Sequence, residues 1–263
     1  MVTMETEPSV GGLLRSWRER RRMSQLQLAA QAEVSTRHLS FLETGRSRPT
    51  REMLERLAGH LDVPLRERNE LLLSAGFAPG YGQRDVNAPE LRAVMDAFRV
   101  LLDAHLPHPA LVLDRWWDVV DRNTATDVLL EGCAPELLEP PVNAIRISLH
   151  PDGLAPRIRN LAQWRGHLLG QVRSRYETTG DQRLKTLLDE VSAYPHRDDG
   201  ASARADVVIP LRLRVGDVEL SFFSITAQAM SATDVTVDEL HIEAFYPADE
   251  ATIRALRPPA GPG

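Results

Sequence analysis

Residues 24–45 read SQLQLAAQAEVSTRHLSFLETG, and this stretch decides the fold of the N-terminal region. Ser24, with Gln27 three residues later, forms a capping-box pattern that marks the start of a helix. The helical spacing of the apolar residues predicts that Leu28 and Ala29 are buried. The stretch therefore opens with a short capped helix.

A second helix follows after a turn at residues 33–34. Ser35 is placed to cap it, and Gly45 stands where a left-handed residue often ends a helix. The helix is predicted to run through Glu43. Two capped helices joined by a turn of three or four residues form a helix-turn-helix, and the second helix of such a pair enters the major groove of DNA.

The outer face of this second helix carries the predicted base contacts. If Leu39 and Leu42 face inward, an advance of about 100° per residue turns a polar and aromatic face outward. On that face Arg37 can offer a bidentate fork to guanine, Thr36 can touch a thymine methyl group, and Phe41 can make an apolar contact. The residues predicted to contact DNA are Gln25, Ser35, Thr36, Arg37, His38, Ser40, Phe41, Thr44, Arg46 and Arg48.

Four of these residues are expected to hold the DNA backbone rather than to read bases. Gln25 and Ser35 lie at helix N-termini, whose free N–H groups bind phosphate. Arg46 and Arg48 follow the second helix and would neutralise phosphates. The alternative interpretation is a helical bundle whose arginines are merely solvated.

The sequence from Ser24 to Arg46 resembles the lambda-repressor/Cro-type helix-turn-helix of xenobiotic-response-element regulators, and the resemblance covers residues 10–75. It implies an all-α domain of five helices. In that family an arginine of the first helix pairs with a glutamate near the end of the recognition helix. The resemblance therefore implies a structural ion pair between Arg18 and Glu43.

Length and charge place this domain within a larger chain. The 263 residues leave room for two domains. The net charge is −6, yet residues 1–84 carry +3 and the remainder −9, so the cationic excess lies in the N-terminal region. Glycines and prolines between residues 76 and 89 predict a linker. The predicted segments are a DNA-binding domain at 10–76, a linker at 77–89, a second domain at 90–256 and a disordered tail at 257–263.

Residues 90–256 show a mixed pattern that predicts an α+β domain. The predicted helices span residues 90–105, 123–131, 156–179 and 181–193, with Asn123 capping the second of them. The predicted strands span 110–120, 207–215, 218–226 and 240–245, and the middle two form a hairpin at residues 216–217. Pro210 indicates that the first strand of this hairpin lies at a sheet edge or contains a bulge.

Aromatic residues of this region are candidates for a ligand pocket, because such pockets are mostly apolar. The candidates are Trp116, Trp117, Trp164, Phe222, Phe223 and Phe245. A filled core that contains the same side chains is the alternative.

The stretches at residues 109–123 and 143–146 and the later helices resemble the MmyB-like ligand-binding domain, which has a PAS-like fold. The resemblance implies a buried cavity able to hold a fatty-acyl or similar hydrophobic molecule. The sequence departs from the commoner pattern at residues 194–206, where a polar segment replaces the usual approach to the sheet.

Several classes of protein and site are excluded. Cys133 is the single cysteine, so there is no internal disulfide and no multi-cysteine metal site. His105 and His108 flank a proline and have no third ligand nearby, and neither a nucleophile elbow nor a phosphate-binding loop is present. The absence of a long apolar run predicts a cytoplasmic protein.

The sequence therefore predicts a non-enzymatic transcription regulator without a cofactor or metal. Its expected partners are double-stranded DNA, a second copy of the chain, and a small hydrophobic ligand such as a fatty acid. Dimerisation is expected because one such module has a small footprint on DNA. Two alternatives are a C-terminal domain that only dimerises or binds a protein partner, and an enzyme fused to a DNA-binding module.

Overall fold

The chain folds into two units, each with a buried core of its own. A computed structural model describes residues 9–195 and 207–256. Residues up to Arg84 group with Ala232–Val235 as the first unit, and the rest of the described chain forms the second. The predicted tail at 257–263 and most of the polar segment at 194–206 lie outside the described residues.

Five helices build the first unit around a core of leucines and Trp17. They are α1 (Val10–Arg20), α2 (Gln25–Gln31), α3 (Thr36–Glu43), α4 (Arg51–His60) and α5 (Leu65–Ser74). The prediction of an all-α five-helix domain is confirmed. The chain after α5 stays packed on it, because the Asn69 side chain accepts hydrogen bonds from the N–H groups of Gly80 (2.9 Å) and Tyr81 (3.0 Å). The first part of the predicted linker is therefore ordered.

The predicted caps of α2 and α3 are confirmed. Ser24 Oγ accepts from the N–H of Gln27, whose side chain accepts from the Ser24 N–H, so the capping box is complete. Ser35 Oγ accepts from the His38 N–H at 3.1 Å. Gly45 has φ +72°, the left-handed conformation predicted for the end of α3.

The second unit combines helices with a sheet. Its helices are α6 (Arg92–Ala104), α7 (Asp127–Leu130), α8 (Ala144–Leu149), α9 (Leu161–Thr179), α10 (Gln182–Ala193), α11 (Val235–Glu239, which begins at the boundary between the units) and α12 (Glu250–Ala255). Its strands are β1 (Ala110–Leu113), β2 (Val119–Arg122), β3 (Leu211–Val215), β4 (Val218–Gln228) and β5 (His241–Pro247). The described strands form an antiparallel sheet in the order β2-β1-β5-β4-β3. This confirms the α+β prediction and places β3 at an edge.

The prediction of one strand over residues 110–120 is wrong. Asp114 Oδ1 accepts from the N–H groups of Trp116 (2.8 Å) and Asp118 (2.9 Å) and so closes a tight turn. Trp117 has φ +63°, so it cannot continue a strand. The segment is instead the hairpin of β1 and β2, because a local side-chain acceptor overrides β-propensity.

Asn123 does not cap a helix with its side chain. Its Oδ1 accepts from the Ala110 N–H at 3.1 Å, and its Nδ2 donates to the carbonyls of Leu102 (3.0 Å) and His108 (2.9 Å). The predicted helix at 123–131 is therefore only a turn of 3-10 helix followed by α7.

Two other predicted boundaries shift for a similar reason. Asn160 donates to the Pro210 carbonyl at 2.8 Å and accepts from the Arg212 N–H at 3.1 Å, so it is tied to the sheet. The helix predicted from residue 156 consequently starts at Leu161. The strand predicted from residue 207 starts at Leu211, and Val207 is fully exposed.

The sheet has two covered faces. Leu111 and Phe222 belong to the larger core beneath α8, α9 and α10, whereas Val112 and Ile242 pack against α6. The larger core contains most of the aromatic residues predicted for the pocket.

Candidate DNA interface and ligand cavity

The recognition helix α3 presents the predicted face to solvent. Leu39 and Leu42 are 0% and 1% exposed, as their inward placement required. The predicted contact residues are all at least partly accessible: Ser35, Arg37, Thr44, Arg46 and Arg48 are exposed, and Gln25, Thr36, His38, Ser40 and Phe41 are partly buried. Among them, Arg37, Phe41 and Arg46 are in direct contact with one another through the Phe41 ring.

The ring of Phe41 lies close to two cations. The guanidinium carbon of Arg37 is 5.3 Å from the centroid of its ring, and that of Arg46 is 5.9 Å away. Arginine is attracted to an aromatic face at such distances. The ring therefore holds both guanidinium groups in a common patch of positive charge.

The ion pair implied by the family resemblance is present. Arg18 Nε donates to Glu43 Oε1 at 2.7 Å, and Nη2 donates to Oε2 at 2.9 Å. The side chains are 10% and 1% exposed, and the hydrogen bond to Glu43 raises the pKa of Arg18. Arg18 Nη1 also donates to the Met23 carbonyl at 2.8 Å. One bidentate pair thus fixes α1, the start of the helix-turn-helix and the end of α3 together.

Gln25 takes part in this ion pair. Its Nε2 donates to Glu43 Oε2 at 2.8 Å. A role in phosphate binding, as predicted, would therefore fall to its backbone N–H at the start of α2 rather than to a free side chain.

Gly11 is a residue that sequence reasoning missed. A Cβ atom there would lie 2.4 Å from the Leu42 carbonyl oxygen and 2.7 Å from that of Glu43. The backbone of α1 consequently approaches the end of α3 more closely than any other residue would permit. No local pattern in the sequence marks this role, because the contact lies between two helices.

A small apolar cavity lies in the larger core of the second unit. Its volume is about 60 Å³, and its walls include Trp117, Trp164 and Phe245 among the predicted residues. Leu111 and Ile145 extend the apolar wall, and Glu243 and Ser148 contribute polar groups. The space is about that of two water molecules at ~30 Å³ each, so a larger ligand must displace side chains.

The other predicted aromatics do not line this cavity. Trp116 donates its indole N–H to Asp181 at 2.8 Å and borders a polar cleft instead. Phe222 is a fully buried core residue that meets Phe245 edge-on at 6.2 Å between centroids. Phe223 stacks on Tyr246 at 5.6 Å.

Three ionisable residues with shifted pKa values were not predicted from the sequence: Glu243 lines the cavity, Arg175 lines a neighbouring groove, and His241 lies two residues before Glu243 on β5. Burial raises the pKa of Glu243, although a hydrogen bond with Ser224 opposes the shift. Burial lowers the pKa of Arg175 to about 10, and the positive charge of Arg115 adds to this shift. Burial lowers the pKa of His241 to about 4, and the positive charge of Arg175 adds to that shift. For His241 and Glu243 the sequence did contain a signal. They are two residues apart on β5, and alternation along a strand places both side chains on the sheet face that α9 covers.

A larger open groove of about 680 Å³ runs along α9. Trp117 lines both this groove and the cavity. The guanidinium of Arg175 lies 3.9 Å from the centroid of the Trp117 ring, and its Nη1 donates to the Arg115 carbonyl at 2.7 Å. Trp117 is thus a wall residue of both the groove and the apolar cavity.

Comparison with known proteins identifies both units. Residues 14–68 match the helix-turn-helix family, and residues 94–258 match the family described as the MmyB-like transcription regulator ligand binding domain. The chain belongs to the MmyB-like transcription regulators. Both resemblances stated from the sequence are confirmed, and the regulator combines a DNA-binding helix-turn-helix domain with a ligand-binding domain.

Named relatives agree with this assignment. HTH-type transcriptional regulators of Mycobacterium bovis and Mycobacterium tuberculosis are 33% identical to this regulator over 131 residues, which is 50% of its chain and 44% of theirs. The aligned region thus spans less than half the length of these relatives. The crystal structure of the clp gene regulator ClgR from Corynebacterium glutamicum is similar over 38% of this chain and 93% of that one, at 24% identity and a TM-score of 0.23. No helix in the described part of the regulator is long and apolar enough to span a membrane.

Proposed function

We propose that this protein is a cytoplasmic, dimeric, sequence-specific transcription regulator that responds to a small apolar ligand of the fatty-acyl type. Residues 10–76 bind operator DNA, residues 77–89 form the linker, and residues 90–256 bind the ligand and the second copy. The protein catalyses no reaction. The observation that carries the proposal is the patch of Arg37, Phe41 and Arg46 on a recognition helix fixed by Arg18 and Glu43.

The patch supplies both kinds of contact that specific binding requires. Arg37 lies on the exposed face of α3, where a bidentate fork can reach a guanine edge. Arg46 and Arg48 follow the helix and are exposed, so they fit phosphates. The buried ion pair keeps the helix rigid, which lowers the entropic cost of docking.

Two copies of the domain are needed for a specific site. A helix-turn-helix module reads a short half-site, and dimers bind half-sites about 34 Å apart. The second unit therefore supplies the contact that sets this spacing.

The ligand acts through the cavity behind Trp117. A cavity of about 60 Å³ cannot admit a fatty-acyl chain without a rearrangement of its walls. A ligand shifts an equilibrium only when it prefers one of two states. The expansion of this core is the change that distinguishes the two states of the second unit.

One observation favours a second candidate function, in which the second unit only dimerises or binds a protein. Val100 and Leu101 on α6 are 66% and 55% exposed, and an exposed apolar face of this kind fits a protein contact. Under this alternative, DNA binding would not respond to apolar ligands.

The proposed function is tested by fluorescence anisotropy of the full chain on DNA that flanks its own gene, with random DNA as control. A salt series separates phosphate contacts from base contacts, because the phosphate contribution falls with salt on both DNAs. We expect specific binding that exceeds random binding by 10³-fold or more. Equal binding to both DNAs across the series would contradict the proposal.

A further inference from the structure

The apolar cavity of the second unit contains polar groups that a filled core does not explain. Trp164 is 3% exposed, and its indole N–H has no hydrogen-bond partner within residues 9–195 and 207–256. Glu243 lines the same cavity. A buried donor without an acceptor costs free energy, and native proteins almost always satisfy such groups. Because Trp164 also lines the cavity, an acceptor on a bound ligand would satisfy this N–H.

We infer that the polar end of the ligand is a neutral group that both accepts and donates hydrogen bonds, such as a hydroxyl or a primary amide. Its oxygen accepts from the Trp164 N–H, and its own N–H or O–H donates to the Glu243 carboxyl group. The apolar body lies among Leu111, Ile145 and Phe245. This inference rests on the proposed function and departs from the free fatty acid expected from the sequence.

Charge and hydrogen-bonding capacity both disfavour the two ionic alternatives. A carboxylate ligand would bring a second negative charge next to Glu243, and Arg175 would offset only part of that repulsion. A carboxylate also has no hydrogen to donate to the Glu243 carboxyl group. An ammonium group would attract Glu243 but has no lone pair for the Trp164 N–H. Arg175, whose positive charge acts on Glu243, would also repel it. A neutral group with one acceptor and one donor satisfies both side chains.

The test is isothermal titration calorimetry of the full chain with four molecules that share a ten-carbon chain: decanol, decanamide, decanoate and decylamine. We expect decanol and decanamide to bind at least tenfold more tightly than decanoate and decylamine. Trp164→Phe keeps the ring and removes the N–H, so it should weaken decanol binding about tenfold. Glu243→Gln removes the charge and should increase decanoate affinity.

Trp116→Phe is the matched control. It removes an indole N–H that is already bonded to Asp181 and lies outside the cavity, so the preference among the four molecules should not change. If Trp164→Phe fails to fold, Glu243→Gln tests the inference by itself.

The inference is overturned if decanoate binds as tightly as decanol, or if Trp164→Phe and Glu243→Gln both leave the preference unchanged. Tighter binding of decylamine than of decanol would overturn it as well. If none of the four molecules binds, the proposed response to an apolar ligand fails, and the inference fails with it.

Discussion

Two buried polar sites, one in each unit, differ in how far their hydrogen bonds are satisfied. In the first unit Arg18 and Glu43 neutralise each other through two hydrogen bonds, and Gln25 adds a third to the carboxylate. In the second unit Glu243 lines an apolar cavity, and the Trp164 N–H has no hydrogen-bond partner in the described part of the chain. A satisfied network gives one rigid arrangement, whereas an unsatisfied site is ready for a ligand. The comparison sets the helix that we propose reads DNA against the cavity that we propose binds a ligand.

The largest expected effect is the loss of stability when the buried ion pair of the first unit is removed. Glu43→Ala leaves Arg18 buried without its partner and should destabilise the first unit by about 3–5 kcal/mol. Urea unfolding followed by circular dichroism measures the loss. Glu55→Ala is the control, because Glu55 pairs with Arg51 at 3.1 Å on the surface of the same unit, with side chains 41% and 39% exposed. Its cost should lie below about 1 kcal/mol. An equal loss in the free energy of unfolding for the two variants would show that the buried ion pair stabilises the unit no more than a surface pair does.

The second prediction concerns the pH response of the second unit. Burial lowers the pKa of His241 in the folded state to about 4, so acidification favours the unfolded state, where the histidine binds a proton more easily. This contribution to stability is complete above about pH 6.5 and is lost as the pH falls to 4, to a total of about 3 kcal/mol. His241→Gln should flatten the dependence.

Asp114 opposes His241 in the same pH range, because burial raises its folded pKa to about 6. Its protonation stabilises the folded state as the pH falls from 6. The His241 comparison is therefore made in an Asp114→Asn background, which keeps the Oδ1 acceptor of the turn. Thermal melts of Asp114→Asn with and without His241→Gln are compared at pH 7 and pH 4.5. An equal loss of stability between the two pH values in both proteins would contradict this prediction.

The third prediction tests the close approach of α1 to α3. Gly11→Ala places a methyl group 2.4 Å from the Leu42 carbonyl oxygen and should cost about 1–3 kcal/mol, since the helices must move apart. Gly12→Ala meets only Ser9 Oγ at 3.4 Å and should be nearly neutral or stabilising. The difference in urea midpoint between the two variants is the measurement. A neutral Gly11→Ala would mean that the helix contact is looser than described.

The fourth prediction separates base reading from phosphate binding within the DNA surface. Arg37→Ala should cost about 1–3 kcal/mol of specific binding and relax sequence preference, since Arg37 is assigned to a base edge. Arg46→Ala should weaken binding to every sequence and reduce the salt slope by about one. Because both residues flank Phe41, the two variants are well matched. If Arg37→Ala lost the same affinity for specific and for random DNA, Arg37 would not contact a base edge.

The sequence predicted the first unit more completely than the second for a physical reason. Ser24, Ser35 and Gly45 act on their own helix ends, so their effects can be read locally. Arg18 and Glu43 are 25 residues apart, and only the family resemblance paired them. Gly11 matters through a contact across helices, which no local pattern reveals.

The second unit depends on contacts that are distant in the sequence. Asn123 and Asn160 precede helices as capping residues do, but their side chains form hydrogen bonds with distant segments. The most distant partner, Arg212, is 52 residues from Asn160. Glu243 looks like any polar residue on a strand until the register places it beside Leu111 and beneath α9. The fold class was therefore accessible from the pattern of elements, whereas the polar groups of the cavity were not.

An apolar ligand in the second unit is proposed to change DNA binding by the first unit. Fluorescence anisotropy of the full chain on its specific DNA, with and without saturating decanol, tests this most directly. Coupling of the usual size predicts a change in the dissociation constant of about 5-fold or more. The change should be lost in Trp164→Phe and kept in Trp116→Phe. Decanol that binds to the protein but leaves its DNA affinity unchanged would contradict the account.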